Sequence, residues 1–174
     1  APTCSPTRAS MLTGINSLAN GVIRPYANPR TESYGMPLYH KIMPEYLIEA
    51  GYQTALSGKW HLGMSSDEYL PSSRGFQQTY GHMNGGIDYY DHSFSGRLDW
   101  HRDNIPLVED GYATNLIADE AIRIIKNKDK NKPLFLYVAF NAPHTPIQVE
   151  NDVMNELSFI EDIDDRRYAA NIYS

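Results

Sequence analysis

The sequence predicts an α/β domain built on a parallel sheet, and three observations carry that reading. A helix-spaced segment over 38–50, a stop at Gly51 and an apolar run over 52–60 make one helix–strand unit. An amphipathic stretch over 114–126 leads into a second apolar run over 134–140. Each run ends in a loop that carries a histidine, His61 after the first and His144 after the second. Open α/β sheets build their sites outside the carboxyl ends of strands, so both histidines fall where function is expected.

The first element is a short helix that starts just after Cys4, in Cys4-Ser5-Pro6-Thr7-Arg8-Ala9-Ser10-Met11-Leu12-Thr13-Gly14. Ser5 is placed to cap it, Pro6 suits its first position and Gly14 stops it. A helix N-terminus offers unpaired N–H groups and a positive dipole end. Arg8, one turn on, can point back at Cys4, which suits an anion held beside a nucleophile. Residues 15–36 are rich in Asn, Gly, Pro and Arg and read as a long connecting loop. In the segment 38–50, Ile42, Tyr46, Leu47 and Ala50 share one face, and Pro44 either starts or kinks the helix.

The run over 52–60 reads as a buried strand centred on Thr54, Ala55 and Leu56, and it enters Gly58-Lys59-Trp60-His61-Leu62-Gly63. On an extended backbone Lys59 and His61 face the same way. A cation beside an imidazole suits a sulfate or phosphate group. This is not a P-loop, because Gln53 and Trp60 stand where that motif needs Gly and Ser or Thr. Residues 64–106 are polar, aromatic and irregular, and read as loops packed by tyrosines that select substrate. Asp88, Asp91 and His92 allow a metal reading there, although their spacing matches no well-defined site. In the helix over 114–126, Ile117, Ala121, Ile124 and Ile125 make the buried stripe, while Asp119, Glu120, Arg123 and Lys126 face water. The run over 134–140 reads as a central parallel strand. It ends in Asn141-Ala142-Pro143-His144-Thr145-Pro146, where two prolines fix the backbone around His144. Asp162, Asp164 and Asp165 precede a final helix and are expected to cap it.

The bulk numbers narrow the function classes. The 174 residues are 41% hydrophobic and 21% charged, which supports a packed core. No apolar run approaches a membrane span. The net charge of −6 argues against nucleic-acid binding and requires a local cationic pocket for any anionic substrate. The single cysteine excludes an internal disulfide, so the redox compartment is not readable.

Cys4, Pro6, Arg8, Leu12, Thr13 and Gly14 match in order the signature of the sulfatase family, and Gly58-Lys59-Trp60-His61-Leu62-Gly63 resembles its second signature. With Arg74-Gly75-Phe76, Asp88-Tyr89-Tyr90, Pro133-Leu134-Phe135-Leu136-Tyr137 and the His144-x-Pro146 turn, the order of motifs resembles arylsulfatases of the N-acetylgalactosamine-4-sulfatase type. The resemblance implies an alkaline-phosphatase-like sandwich, with a mixed, mainly parallel central sheet flanked by helices. Residues 1–174 are then expected to be part of a single catalytic domain, truncated at both ends.

The implied activity is hydrolysis of a sulfate monoester, on an aryl compound or a sulfated glycan. The implied chemistry starts with oxidation of Cys4 to formylglycine by a formylglycine-generating machinery. One hydroxyl of the aldehyde hydrate attacks sulfur, and the other then expels sulfate. Cys4 also touches a calcium ion, with magnesium a possible substitute. Arg8 steadies the formylglycine, Lys59 and His144 hold the sulfate and leaving group, and His61 orients the hydrate. The remaining metal ligands of the family, an upstream Asp pair and a downstream Asp-Asn pair, have no match here, nor does its downstream Lys; Asp164-Asp165 lies at the wrong place in the order. The implied compartment is periplasmic, secreted or lysosomal. Three alternatives stay open: a phosphonate or phosphate monoester hydrolase of the same superfamily, a non-catalytic piece or pseudoenzyme, and an ordinary Cys-His hydrolase using Cys4 with His61 or His144.

Overall fold

The computed structural model describes residues 3–26 and 35–174. Part of the loop expected over 15–36 lies outside the described residues. The elements follow as α1 (Cys4–Thr13), α2 (Ser17–Asn20), α3 (Met43–Glu49), β1 (Gln53–Gly58), β2 (Gln78–Gly81), β3 (Ser93–Phe94), β4 (Arg97–Leu98), β5 (His101–Arg102), β6 (Ile105–Pro106), α4 (Ala113–Asn127), β7 (Leu134–Ala139), α5 (Asn151–Glu156) and α6 (Ile163–Tyr173). The main sheet has the order β6-β5-β2-β1-β7. β1 runs parallel to β2 and to β7, with Ser57 opposite Tyr80 and Gly58 opposite Ala139. β5 and β6 add antiparallel pairs at one side, so the sheet is mixed with a parallel centre.

Alternation along β1 splits the core into two layers. On one face Leu56 joins Ala9 and Leu12 of α1, Ile42, Trp60, Phe76 and Met83 in a buried cluster. On the other, the Ser57 hydroxyl donates to the Ile117 carbonyl of α4 at 2.8 Å. There Tyr80, Tyr89, Trp100, Tyr112 and Ile117 form the second cluster. α1 ends at Gly14, whose φ of 71° is left-handed and whose N–H closes the helix on the Ser10 carbonyl.

Several sequence expectations need correction. The stretch over 15–36 contains the short helix α2, capped by the Asn16 side chain on the Leu18 N–H. Pro44 lies in the first turn of α3, so it starts the helix instead of kinking it. Ile42 is buried, but Tyr46 and Ala50 are exposed, because only the N-terminal end of α3 meets the core. Residues 64–106 are not all loop: β2 lies there, buried against β1. In α4, Ile125 is 53% exposed and Glu120 only 5%. Both Glu120 oxygens accept from Arg102 of β5 at 2.7 and 3.0 Å, and from Arg123 at 2.7 and 2.8 Å. Among the described residues β7 pairs with β1 and stands last in the sheet order. Arg74 of the Arg-Gly-Phe motif is buried and donates to the His40 carbonyl at 2.7 Å, which makes that motif a brace between loops. Asp162 caps α6 as expected, accepting from the Asp164 and Asp165 N–H groups.

Candidate active site

Three parallel carboxyl ends and one helix N-terminus build the site. Cys4 is the first residue of α1, so the helix begins two residues earlier than the sequence suggested, and Thr3 precedes it in extended conformation with no side-chain cap. The first-turn N–H groups therefore lack the usual cap from the Thr3 hydroxyl. The Ser5 hydroxyl is not a cap: it accepts the Tyr26 N–H at 3.2 Å. Cys4 is a free, half-buried thiol.

Arg8 lies one turn along. Its Nη1 donates to the Lys59 carbonyl at 2.7 Å and to the Tyr137 hydroxyl at 3.0 Å, tying α1 to the ends of β1 and β7. The same guanidinium remains within electrostatic range of Cys4, and burial pulls it below its ordinary pKa. Lys59 is 3% exposed. Burial first, then the charge of Arg8, pushes its ammonium down to about 8, while Cys4 opposes the shift. Its Nζ donates to the Gly85 carbonyl in the loop after β2.

His61 does not continue an extended backbone, since its φ is 57°. Its Nε2 meets the Tyr26 carbonyl at 3.0 Å, so that nitrogen carries the proton. Nδ1 is then an acceptor, buried and without a partner. Burial drives the ring down to about 4 against the Tyr26 bond, and the charges of Lys59, Arg8 and His144 push the same way. His61 is neutral at pH 7. His144 sits just past β7 and is exposed. Its Nδ1 donates to the Thr145 carbonyl at 2.7 Å, leaving Nε2 as the nitrogen for a bound group. Tyr89 steadies the turn by donating to the His144 carbonyl at 2.9 Å. Beside His144 opens a cleft of about 390 Å³, with Ile87, Asp88, Ser93 and Phe94 in its wall.

All five residues singled out in the sequence thus meet at one edge of the sheet. Sequence reasoning missed four neighbours: Tyr137, His82, Asp99 and the Gly85-Gly86 pair. His82 is buried, with Nδ1 on the Asn84 carbonyl at 3.1 Å and Nε2 unpartnered. Burial and the nearby cations hold it far below the usual imidazole range. A Gly-Gly pair after a strand was the one available signal. The Asp88, Asp91 and His92 group serves the loop instead of a metal. Asp88 accepts the Tyr90 and Asp91 N–H groups and Gln148, and His92 stacks on Trp100 at 4.6 Å. Among the described residues no three His, Cys, Asp or Glu side chains are grouped to hold a metal ion.

The comparisons with known proteins follow the same lines. The Sulfatase family profile matches residues 1–173. Mouse arylsulfatase J is 34% identical over 177 residues, spanning 97% of this chain and 29% of that protein. Human N-acetylgalactosamine-6-sulfatase is 32% identical over 164 residues, spanning 84% of this chain and 31% of that protein. The chain therefore spans under a third of the length of these relatives. The structure of Ps i-CgsB in complex with k-i-k-neocarrahexaose superposes with a TM-score of 0.86 at 29% identity, covering 98% of this chain and 41% of that one. A structure solved with its substrate D-glucosamine-2-N,6-O-disulfate gives 0.65 at 31% identity, covering 90% of this chain and 28% of that one. By sequence, by its mainly parallel sheet and by its alkaline-phosphatase-like neighbours, the chain belongs to the sulfatase family.

Proposed function

We propose that this chain supplies the nucleophile and part of the anion pocket of a sulfuric ester hydrolase acting on an aryl or sugar sulfate. The observation that carries the reading is the meeting of Cys4, Arg8, Lys59, His61 and His144, from separate segments, at one sheet edge. An anion there meets the α1 N-terminus and two cations, which offsets the repulsion of an acidic chain.

Oxidised to formylglycine by its maturation machinery and hydrated by one water to the gem-diol, Cys4 supplies a hydroxyl nucleophile, and its second hydroxyl gives a route to release sulfate through C–O cleavage with return of the aldehyde. Arg8 holds the Cys4 helix against β1 and places positive charge beside the reacting group. Lys59, mostly protonated at pH 7, binds the sulfuryl oxygens as charge develops on them. Neutral His61 presents Nδ1 as an acceptor for a proton on the Cys4 side. His144 presents Nε2 to the leaving oxygen, where its imidazolium form donates a proton. The cleft beside His144 takes the alcohol portion of the substrate. A sulfated glycan is the favoured class, since one relative is an N-acetylgalactosamine-6-sulfatase and two neighbouring structures hold neocarrahexaose and D-glucosamine-2-N,6-O-disulfate.

Calcium is the metal that the family resemblance implies. It takes about six to eight oxygen ligands. The described residues offer Cys4 but no grouped carboxylates, so they do not fit a calcium site by themselves. No step above runs through a metal.

The test is substrate profiling of the full-length protein with matched aryl sulfate and aryl phosphate esters. Preferred turnover of the sulfate, lost in Cys4→Ala, is expected. Preferred turnover of the phosphate would assign a phosphate monoester hydrolase instead, and alkylation of a persistent Cys4 thiol in active enzyme would assign a Cys-His hydrolase.

A further inference from the structure

The loop after β2 makes contacts that the mechanism above leaves unused. Asp99, 3% exposed, lies between β4 and β5. Its Oδ1 accepts the Met83 N–H at 3.0 Å, and its Oδ2 accepts the Asn84 N–H and the Asn84 amide, both at 2.9 Å. Charge-assisted bonds of this kind are stronger than neutral ones and fix the backbone they hold. The next two residues are Gly85 and Gly86. The Gly85 carbonyl accepts from Lys59 Nζ. A β-carbon on Gly85 would lie 2.6 Å from His61 Cε1, and one on Gly86 would lie 2.7 Å from His144 Cε1 and closer still to Nδ1. Neither glycine has a positive φ, so backbone conformation does not require glycine here. What requires it is the space taken by the two imidazoles.

We infer that Asp99 and the Gly85-Gly86 pair form a positioning strut, which sets Lys59 through the Gly85 carbonyl and spaces His61 from His144 by backbone alone. The inference rests on the roles proposed above for the two histidines. Asp99 and Gly85 act as positioning residues, and Gly86 combines that part with a place in the wall of the cleft beside His144. Such a strut matters because a misplacement of about 1 Å can cost about a hundredfold in rate.

The two glycines back different histidines, so their replacement should have different kinetic signatures. The experiment uses the full-length protein and compares kcat/KM for phenyl sulfate, a poor leaving group, with 4-nitrophenyl sulfate, a good one. Gly86→Ala displaces His144 and should lower the phenyl sulfate value at least tenfold more than the nitrophenyl value. Gly85→Ala displaces His61 and should lower both by the same factor. Asp99→Asn adds no bulk and releases the whole loop, so it should lower both values and add the leaving-group selectivity; it carries the test if Gly86→Ala fails to fold. Equal losses on the two substrates in Gly86→Ala, or in Asp99→Asn where that variant stands in, overturn the strut, as does unchanged activity in the folded variants. His144→Ala is the control. Selectivity there without selectivity in Gly86→Ala contradicts the strut alone, and no selectivity in His144→Ala contradicts the role assigned to His144.

Discussion

The Arg8 guanidinium donates to the main-chain carbonyl of Lys59 at 2.7 Å, so the residue one turn past the cysteine holds the strand end that carries the second cation. A hydrogen bond from a charged group is worth about 1.5–3 kcal/mol. Its bond to Tyr137 at 3.0 Å extends the link to β7. Burial lowers the Lys59 pKa most, and repulsion between the two cations adds to it. The arrangement is poised for an anion that relieves the repulsion.

Arg8→Lys should therefore be a severe change despite keeping the charge. Both bonds leave the one Nη1, and the lysine side chain, one atom shorter, does not bring its ammonium to that position between the Lys59 carbonyl and the Tyr137 hydroxyl. Steady-state kinetics of the full-length variant should show aryl sulfate turnover lowered at least about a hundredfold, consistent with a reacting group misplaced by about 1 Å. Turnover within a factor of about two of wild type would mean that the bridge does not position the site.

Anion affinity should depend on pH through Lys59. Its ammonium titrates at about 8, so the charge is present below that pH and is lost above it. Inhibition by inorganic sulfate should be flat from pH 6 to 7 and weaken about tenfold per unit well above 8, as one bound proton is lost. Lys59→Arg stays charged and should flatten that profile. A wild-type inhibition constant that is unchanged up to pH 10 would contradict the assignment of Lys59 to the anion.

Glu120 gives a prediction about stability. Its carboxyl is pulled down by the bonds from Arg123 and Arg102, which outweigh the opposing effect of burial. A group whose folded pKa is depressed stabilises the fold above its unfolded pKa of about 4.3, and that contribution fades as pH falls through the folded value. Glu120 is buried but both arginines are more than a third exposed, so solvent screens the pairs and breaking them costs about 1–3 kcal/mol. Urea melts should therefore separate Glu120→Gln from wild type by about that amount at pH 7 and by clearly less near pH 3. An equal separation at both pH values would rule out the ionised carboxylate as the source.

Calcium should not be held by these residues in isolation. Residues 1–174 produced as a separate polypeptide should give no calorimetric calcium signal, because among the described residues Cys4 is the one ligand offered there and no carboxylates are grouped beside it. Tight binding by that polypeptide would reveal a site that the described side chains do not form.

How far the sequence was legible depends on how local each feature is. Cys4 and Arg8 were readable because a helix places them one turn apart whatever surrounds it. Lys59, His61 and His144 were readable because they follow apolar runs that end in turns. β2 was not, since Gln78-Thr79-Tyr80-Gly81 is short and polar, and its burial comes from pairing with β1. Gly81 also packs directly on the Gly58 backbone, a contact that no local pattern announces. Glu120 read as solvent-facing because its partner Arg102 comes from a distant strand. Asp99 and Gly85 became visible only when the loop they shape lay against Lys59.

The central claim is that Cys4, processed at this sheet edge, carries out sulfate ester hydrolysis. The most direct measurement is aryl sulfate turnover by the full-length protein and its Cys4→Ala variant, both produced in a host that oxidises such cysteines. The account predicts turnover in the first and none above background in the second. Equal turnover in the two would contradict it.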